Sequence, residues 1–388
     1  MAVIPYGKQS VSEDDIKAVV DVLRSDRITQ GPVVPAFEEN VARYCGADYA
    51  VAVNSATSAL HIACLALGVG KGDIVWTSPI TFVASANCAL YCGAEVDFVD
   101  IDPLTNNMSS ARLEEKLVQA QKSNRLPKVV IPVHFCGQSC DMEAIHALGQ
   151  QYGFRIIEDA SHAIGGRYKE KAIGNCQYSD ITVFSFHPVK IITTGEGGMA
   201  LTNDVHIARH MQLLRSHGIT RNTSEMSGSP DGPWYYQQVE LGFNYRMTDI
   251  QAALGLSQMR RLDEFVDRRH YLADRYDKLM SLFPVEIPRH HPDIYSSRHL
   301  YVVRLQLGEV GKNHLQVFEA MRKAGIGVNL HYIPVYHQPY YADLGFEQGL
   351  CPEAERYYHE ALSLPIFPDL TEEDQDLVVA AFQESLRK

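Results

Sequence analysis

The chain has 388 residues, 46% of them apolar and 21% charged, and 35 Lys+Arg against 47 Asp+Glu leave a formal charge of −12. Such a composition can bury a core, which excludes a disordered or low-complexity chain, and the length exceeds one compact core, so two domains are expected. The acidic balance without a dense Lys/Arg stripe argues against a nucleic-acid surface; with no run of about 18 apolar residues and no basic region leading into an apolar core, neither a membrane span nor a signal peptide is expected, which places the protein in the cytoplasm.

From about residue 49 to 215 short β-branched runs alternate with helical patterns, the signature of an α/β fold with a mostly parallel sheet flanked by helices. YAVAVN (49–54) precedes SALHIACLALGV, DIVWTS (73–78) precedes TFVASANCALYCG, EVDFVD (95–100) precedes SSARLEEKLVQA, and KVVIPV (128–133) precedes CDMEAIHALGQQYG. FRIIED (154–159), DITVFSF (180–186) and GMALTN (198–203) complete the strands. Residues 220–238, rich in Gly, Ser and Pro, read as an exposed loop. One long amphipathic helix is expected from the capping-box pair Thr248 and Gln251 to about Tyr276. Beyond it HLYVVRLQL (299–307), a helix at 313–325 and IGVNLHY (326–332) suggest a smaller α+β unit that includes the C-terminal helix. The domains are therefore expected at 1–250, the large one, and 251–388, entered through the long helix.

Eight cysteines, at 45, 64, 88, 92, 136, 140, 176 and 351, are scattered rather than framed for disulfides, so reduced thiols are expected. The pairs Cys88/Cys92 and Cys136/Cys140 lack the spacing of a zinc knuckle, and no metal is expected.

Right-handed crossovers put the loops after parallel strands on one side of a sheet, where ligands of open α/β folds bind. That rim gathers Asn54 to Ser58, Ser78 to Phe82, His134, Asp159 to His162, and Ser185 to Lys190. A strand entering N-S-A-T-S and then a helix offers free N–H groups for a phosphate, although Ser and Thr also serve as ordinary N-caps. Asp159 ends an apolar strand, where a carboxylate needs a cationic partner or water, and Lys190 is bracketed by apolar residues, from which a lysine can also snorkel to solvent. Together, a lysine that bonds an aldehyde, an aspartate for a pyridinium nitrogen, a helix N-terminus for a phosphate and a stacking aromatic are what pyridoxal 5′-phosphate (PLP) requires.

Six segments carry a family resemblance along essentially the whole chain: IPYGKQSVSEDDIKAVVDVLRSDRITQGPVVPAFEE, NSATSAL, EDASHAIGG, SFHPVKIITTGEGGM, GFNYRMTDIQAALGLSQ and VNLHYIPVY. In that order they resemble the DegT-type nucleotide-sugar aminotransferases, PLP enzymes of fold type I with a large sheet domain and a smaller C-terminal one. Carried across by position, the resemblance makes Lys190 the cofactor-bonding catalytic lysine and Asp159 the catalytic partner of the pyridine nitrogen. It places His162 near the phenolic oxygen, Ala56, Thr57 and Ser185 in the phosphate cup, and Phe82 as the stacking ring. Asn244 matches an asparagine that reaches the phosphate from a neighbouring subunit, which implies a homodimer with shared sites. Retention of Lys190, where dehydratases of the group carry His, favours amino transfer.

The strings VHFCGQSCDMEAI, FHPVKIITTGEGG and LLRSHGITR resemble the subgroup of pseudaminic acid biosynthesis. That subgroup uses L-glutamate to aminate C4 of a UDP-4-keto-6-deoxy-N-acetylhexosamine. The resemblance makes Tyr6, Asp26, Arg27, Ile28, Thr29, Ala56, Ser185, Asn244, Asn329, Leu330, His331 and Tyr332 the substrate-contact candidates. On charge alone Lys8, Arg27 and Arg246 are candidates for the diphosphate. A D-configured UDP-keto sugar or a dTDP-keto sugar, and a non-catalytic PLP-binding regulator, are the alternatives.

Overall fold

The computed structural model describes residues 3–387 apart from 288 and 290. Its centre is a seven-stranded sheet of β1 (Tyr49–Val53), β2 (Ile74–Thr77), β3 (Glu95–Phe98), β4 (Val129–Ile131), β5 (Arg155–Asp159), β6 (Ile181–Ser185) and β7 (Gly198–Thr202). The order across the sheet is β1-β7-β6-β5-β4-β2-β3. Neighbours are parallel except β7, which runs antiparallel to both β1 and β6.

Period-2 alternation sends successive side chains to opposite faces, and each face finds its own cover. Val51, Val53, Val75, Ile131, Ile157 and Val183 join one core with α3 (Ala56–Ala66), α4 (Ala84–Tyr91) and α7 (Val205–Leu214), helices that follow α1 (Glu13–Leu23) and α2 (Val33–Cys45) and bracket α5 (Ser110–Lys122) and α6 (Met142–Tyr152) in the chain. On the opposite face Ala50, Ala52, Phe184 and Leu201 pack with Phe37 and Val41 of α2, while Trp76, Val130 and Ile156 pack with Leu113 of α5 and Ile145 of α6.

The single long helix expected from Thr248 is interrupted. The Thr248–Gln251 capping box is formed, but α8 (Asp249–Gln258) gives way to a 3₁₀ turn at Met259–Arg261 before α9 (Leu262–Met280). The pieces serve different cores: Ala252, Leu262 and Val266 pack with Phe37, whereas Leu272, Tyr276 and Met280 line a separate one. That second core lies against a three-stranded sheet of Val285–Glu286, Tyr301–Leu305 and Ala361–Leu364, with α10 (His314–Lys323) and the C-terminal helix Glu372–Leu386.

Within IGVNLHY (326–332), Ile326–Gly327 forms a short strand in parallel with Ile4–Pro5 near the N-terminus. Residues 329–332 then turn away, with Asn329 bridged to Ser363. This brings Tyr6 beside His331, their rings 5.1 Å apart. The eight cysteines are free thiols, and no helix of the described residues is long and apolar enough to cross a membrane.

Candidate active site

The phosphate-cup candidates meet where β1 runs into α3. Ser55 caps that helix, its Oγ accepting from the Ser58 N–H at 3.1 Å. Gly198 opens β7 and pairs with both Val53 and Ser185. A Cβ on Gly198 would stand 2.5 Å from the Ala56 nitrogen, so only glycine lets β7 pass under the first turn of α3 with Ser185 at its side. The N–H groups of a first helical turn have no intrahelical acceptor and, with the helix dipole, favour an anion.

Asp159 ends β5 at 4% exposure. Ser85 Oγ donates to its Oδ2 at 2.6 Å, and the Ser161 N–H donates to its Oδ1 at 3.1 Å. Ser85, in the first turn of α4, is itself held by Thr81 at 2.7 Å. Such donors are what a buried carboxylate requires, and they fix its orientation. Lys190 follows β6, half-buried, its backbone N–H donating to the His187 carbonyl at 2.9 Å. Burial pushes the Lys190 amine down to about 8, opposed by the attraction of Asp159. A lysine so placed is still mainly protonated near physiological pH, but it supplies far more neutral amine than an ordinary lysine, as a nucleophile or proton carrier needs.

A ring of imidazoles and phenols borders the lysine. Tyr332 Oη lies 3.4 Å from His162 Nε2. His331 contacts Ser363 Oγ through Nδ1 at 2.8 Å and Asn329 Nδ2 through Nε2 at 3.2 Å. Burial, then the Lys190 charge, lowers His331 to about 3, and burial with Lys190 and His331 holds His162 well below its ordinary value. Burial raises the Tyr6 phenol.

The other candidates lie further out. The Phe82 ring is 59% exposed, 6.5 Å from that of Tyr332. Leu330 is half-buried beside Asn329. Asp26 to Thr29 are exposed, in a segment anchored by buried Asp249: its N–H donates to the Ile28 carbonyl at 3.0 Å, and its carboxylate accepts from the N–H groups of Gly31 and Val34. Asn244 is exposed and bridges Ser216 through the backbone; Arg246, half-buried, bridges Val53 at the end of β1, and Lys8 is exposed.

One rim residue is corrected. His134 is fully buried, with Nε2 2.6 Å from Glu158 Oε2 and Nδ1 accepting from the Cys140 N–H. Its backbone does reach the rim, the N–H donating to the Asp159 carbonyl at 3.0 Å, but its ring is taken up by Glu158, which Ser179 and Thr182 also bind. Conversely, Ser85, Gly198 and His299 belong to the site's structure without having been singled out. Thr81 and Ser85, one helical turn apart, were the legible signal for the first.

The sequence profile described as the DegT/DnrJ/EryC1/StrS aminotransferase family matches residues 9–383. The chain is similar to the spore coat polysaccharide biosynthesis protein SpsC of Bacillus subtilis (strain 168), 38% identical over 387 residues, covering 99% of this chain and 97% of that one. It is likewise 38% identical over 379 residues to the UDP-4-amino-4,6-dideoxy-N-acetyl-β-L-altrosamine transaminase of Campylobacter jejuni, covering 97% and 95% of the two. Among solved structures, PseC of Helicobacter pylori, an aminotransferase involved in the biosynthesis of pseudoaminic acid, superposes with a TM-score of 0.90 at 30% identity over 99% of each chain.

Proposed function

The chain belongs to the DegT/DnrJ/EryC1/StrS aminotransferase family, and from that premise we propose which sugar it aminates and which of its residues do so. As a member it is a PLP-dependent sugar aminotransferase of fold type I. The observation that carries the site assignment is Lys190, just beyond β6, on the same rim as buried Asp159 at the end of the neighbouring parallel strand β5 and the N-terminus of α3. Bound PLP supplies an electron sink for the carbon that gains or loses the amino group.

The chain's own residues do the rest. Lys190 Nζ holds the cofactor between turnovers and, once free, takes the proton from the substrate carbon and returns it, which suits an amine lowered to about 8. The Asp159 carboxylate, oriented by Ser85 and Ser161, holds the proton on the ring nitrogen. Ala56, Thr57 and Ser185 bind the phosphate, with Asn244 of a second copy completing the cup; this makes the working form a homodimer. With PLP bound, His162 would stand beside its phenolic oxygen and Phe82 would cover its ring. Tyr6, the exposed segment from Asp26 to Thr29 and the turn from Asn329 to Tyr332 border the sugar, and the unit beyond residue 250 closes over it in the cytoplasmic enzyme.

The amino donor is L-glutamate and the acceptor is C4 of UDP-2-acetamido-2,6-dideoxy-β-L-arabino-hex-4-ulose, giving UDP-4-amino-4,6-dideoxy-N-acetyl-β-L-altrosamine for pseudaminic acid. The Campylobacter jejuni relative and PseC support this sugar. The equal identity to SpsC favours, as a second reading, another nucleotide-keto sugar. NMR of the product at C4, after incubation with glutamate and a panel of UDP- and dTDP-4-keto sugars, decides. The β-L-altro product is expected; turnover of a D-configured or dTDP sugar alone selects the second reading, and no turnover of any sugar defeats both.

A further inference from the structure

His162 and His299 lie with ring centroids 4.4 Å apart and planes at 50°, at 6% and 3% exposure. The Nδ1 atom of each is enclosed without a hydrogen-bond partner. Unpaired buried nitrogens are unfavourable, and an apolar ring of similar size would fill position 299 without that penalty.

The chain nevertheless fixes His299 firmly. Its N–H donates to the Cys136 carbonyl at 2.9 Å, and its own carbonyl accepts from buried Arg269 at 3.0 Å. Two residues earlier, Ser297 Oγ donates to the His162 carbonyl at 2.7 Å and the Ser297 N–H to the Gly137 carbonyl at 3.0 Å. Gly137 has φ +92°, and a Cβ there would stand 2.4 Å from Ser297 Oγ, so the glycine is what admits this clamp. Beyond His299, the His162 ring meets Tyr332 at 6.3 Å and 25°, and Phe135 at 6.0 Å. The charged and titratable groups facing the pair are Lys190, His331, Arg269 and Tyr332; burial first, then the Lys190 charge and, for His299, that of Arg269, lower the proton affinity of both imidazoles.

We infer that His299 is a positioning residue: packed on the ring of His162, it fixes that imidazole in one orientation and keeps water from it, so that the Nε2 edge, beside Tyr332 Oη, is the one presented to the bound cofactor. The inference rests on the placement of His162 beside the phenolic oxygen.

The test is ¹⁵N-histidine NMR of the apo-protein, with His162 identified by its loss in His162→Phe, together with the pH dependence of the visible band of the PLP-loaded enzyme. In apo-protein His299→Ala is expected to let His162 titrate closer to 6.5, with a roughly tenfold or greater gain in proton affinity, whereas His299→Phe, which keeps a ring against it, stays near wild type. In the loaded enzyme His299→Ala moves the pH midpoint of the visible band and lowers kcat about tenfold while KM for the sugar changes less than about twofold. An unmoved His162 titration in His299→Ala, or in His299→Gln should the first variant misfold, overturns the role of His299. A visible band and midpoint untouched by His162→Phe overturns instead the placement of His162 on which the inference rests; the apo-protein measurement, made without cofactor, keeps the two failures apart.

Discussion

The inner rim and the outer loops of this site are built differently. Inside, Asp159 and Ser185 end their strands and His162 and Lys190 lie in the turns just beyond, all buried or half-buried, and Asp159 is oriented by hydrogen bonds from Ser85 and Ser161. Outside, Asp26 to Thr29, Asn244 and Phe82 are exposed, and what anchors them is backbone: the Ile28 carbonyl on Asp249, and Asn244 bridged to Ser216. The chain therefore pre-organises the groups proposed to handle protons more firmly than the exposed ones proposed for phosphate closure and the outer part of sugar recognition. In the segment leading to Asn244, Trp234 at 71% and Leu241 at 81% are exposed as well.

The sharpest way to break this comparison is at its centre. Lys190→Ala removes both the cofactor bond and the proton carrier, and a fall in kcat/KM of about 10³-fold or more is expected, measured by glutamate-dependent amination. Asp159→Asn keeps the shape and the Ser85 contact but not the charge, and should lower kcat by about 10²-fold with little change in melting temperature. A loss in Asp159→Asn no larger than in an exposed-loop variant would erase the distinction between inner and outer regions.

The outer region is tested by mixing. Asn244→Ala alone should be impaired, but unfolding and refolding it with Lys190→Ala should restore about a quarter of wild-type activity, because mixed dimers each carry one intact site. No recovery would place Asn244 in its own chain's site or in none. The smallest effect is on pH. Because only the neutral amine bonds an aldehyde, the rate of PLP capture by apo-protein should rise with pH through a midpoint near 8 and then level off, rather than climbing toward 10.5. Asp159 holds that value up, so Asp159→Asn should move the plateau to lower pH. Stopped-flow absorbance measures both.

The inner region was also the more legible in sequence. Seven β-branched runs marked the strands to within a residue or two, and the crossover rule then put Asn54 to Ser58, Asp159 to His162 and Ser185 to Lys190 on one rim before any coordinates. The antiparallel sense of β7 was not legible, because alternation carries no direction. Nor was the break at Met259–Arg261, since a continuous helical period does not say which core each turn will join. His134 shows the same limit at one residue: the strand end was readable, but its burial depended on Glu158 from the neighbouring strand. His299, opening an apolar strand, carried no local signal of the imidazole it would meet 137 positions away in sequence.

The central claim, that Lys190 is the residue on which the cofactor is held, is tested most directly by trapping it. The PLP-loaded protein is reduced with borohydride, digested and analysed by peptide mass spectrometry. A pyridoxyl phosphate label is expected on the peptide containing Lys190, and only there; a label on another lysine, or loss of the visible band without any labelled peptide, would contradict the account.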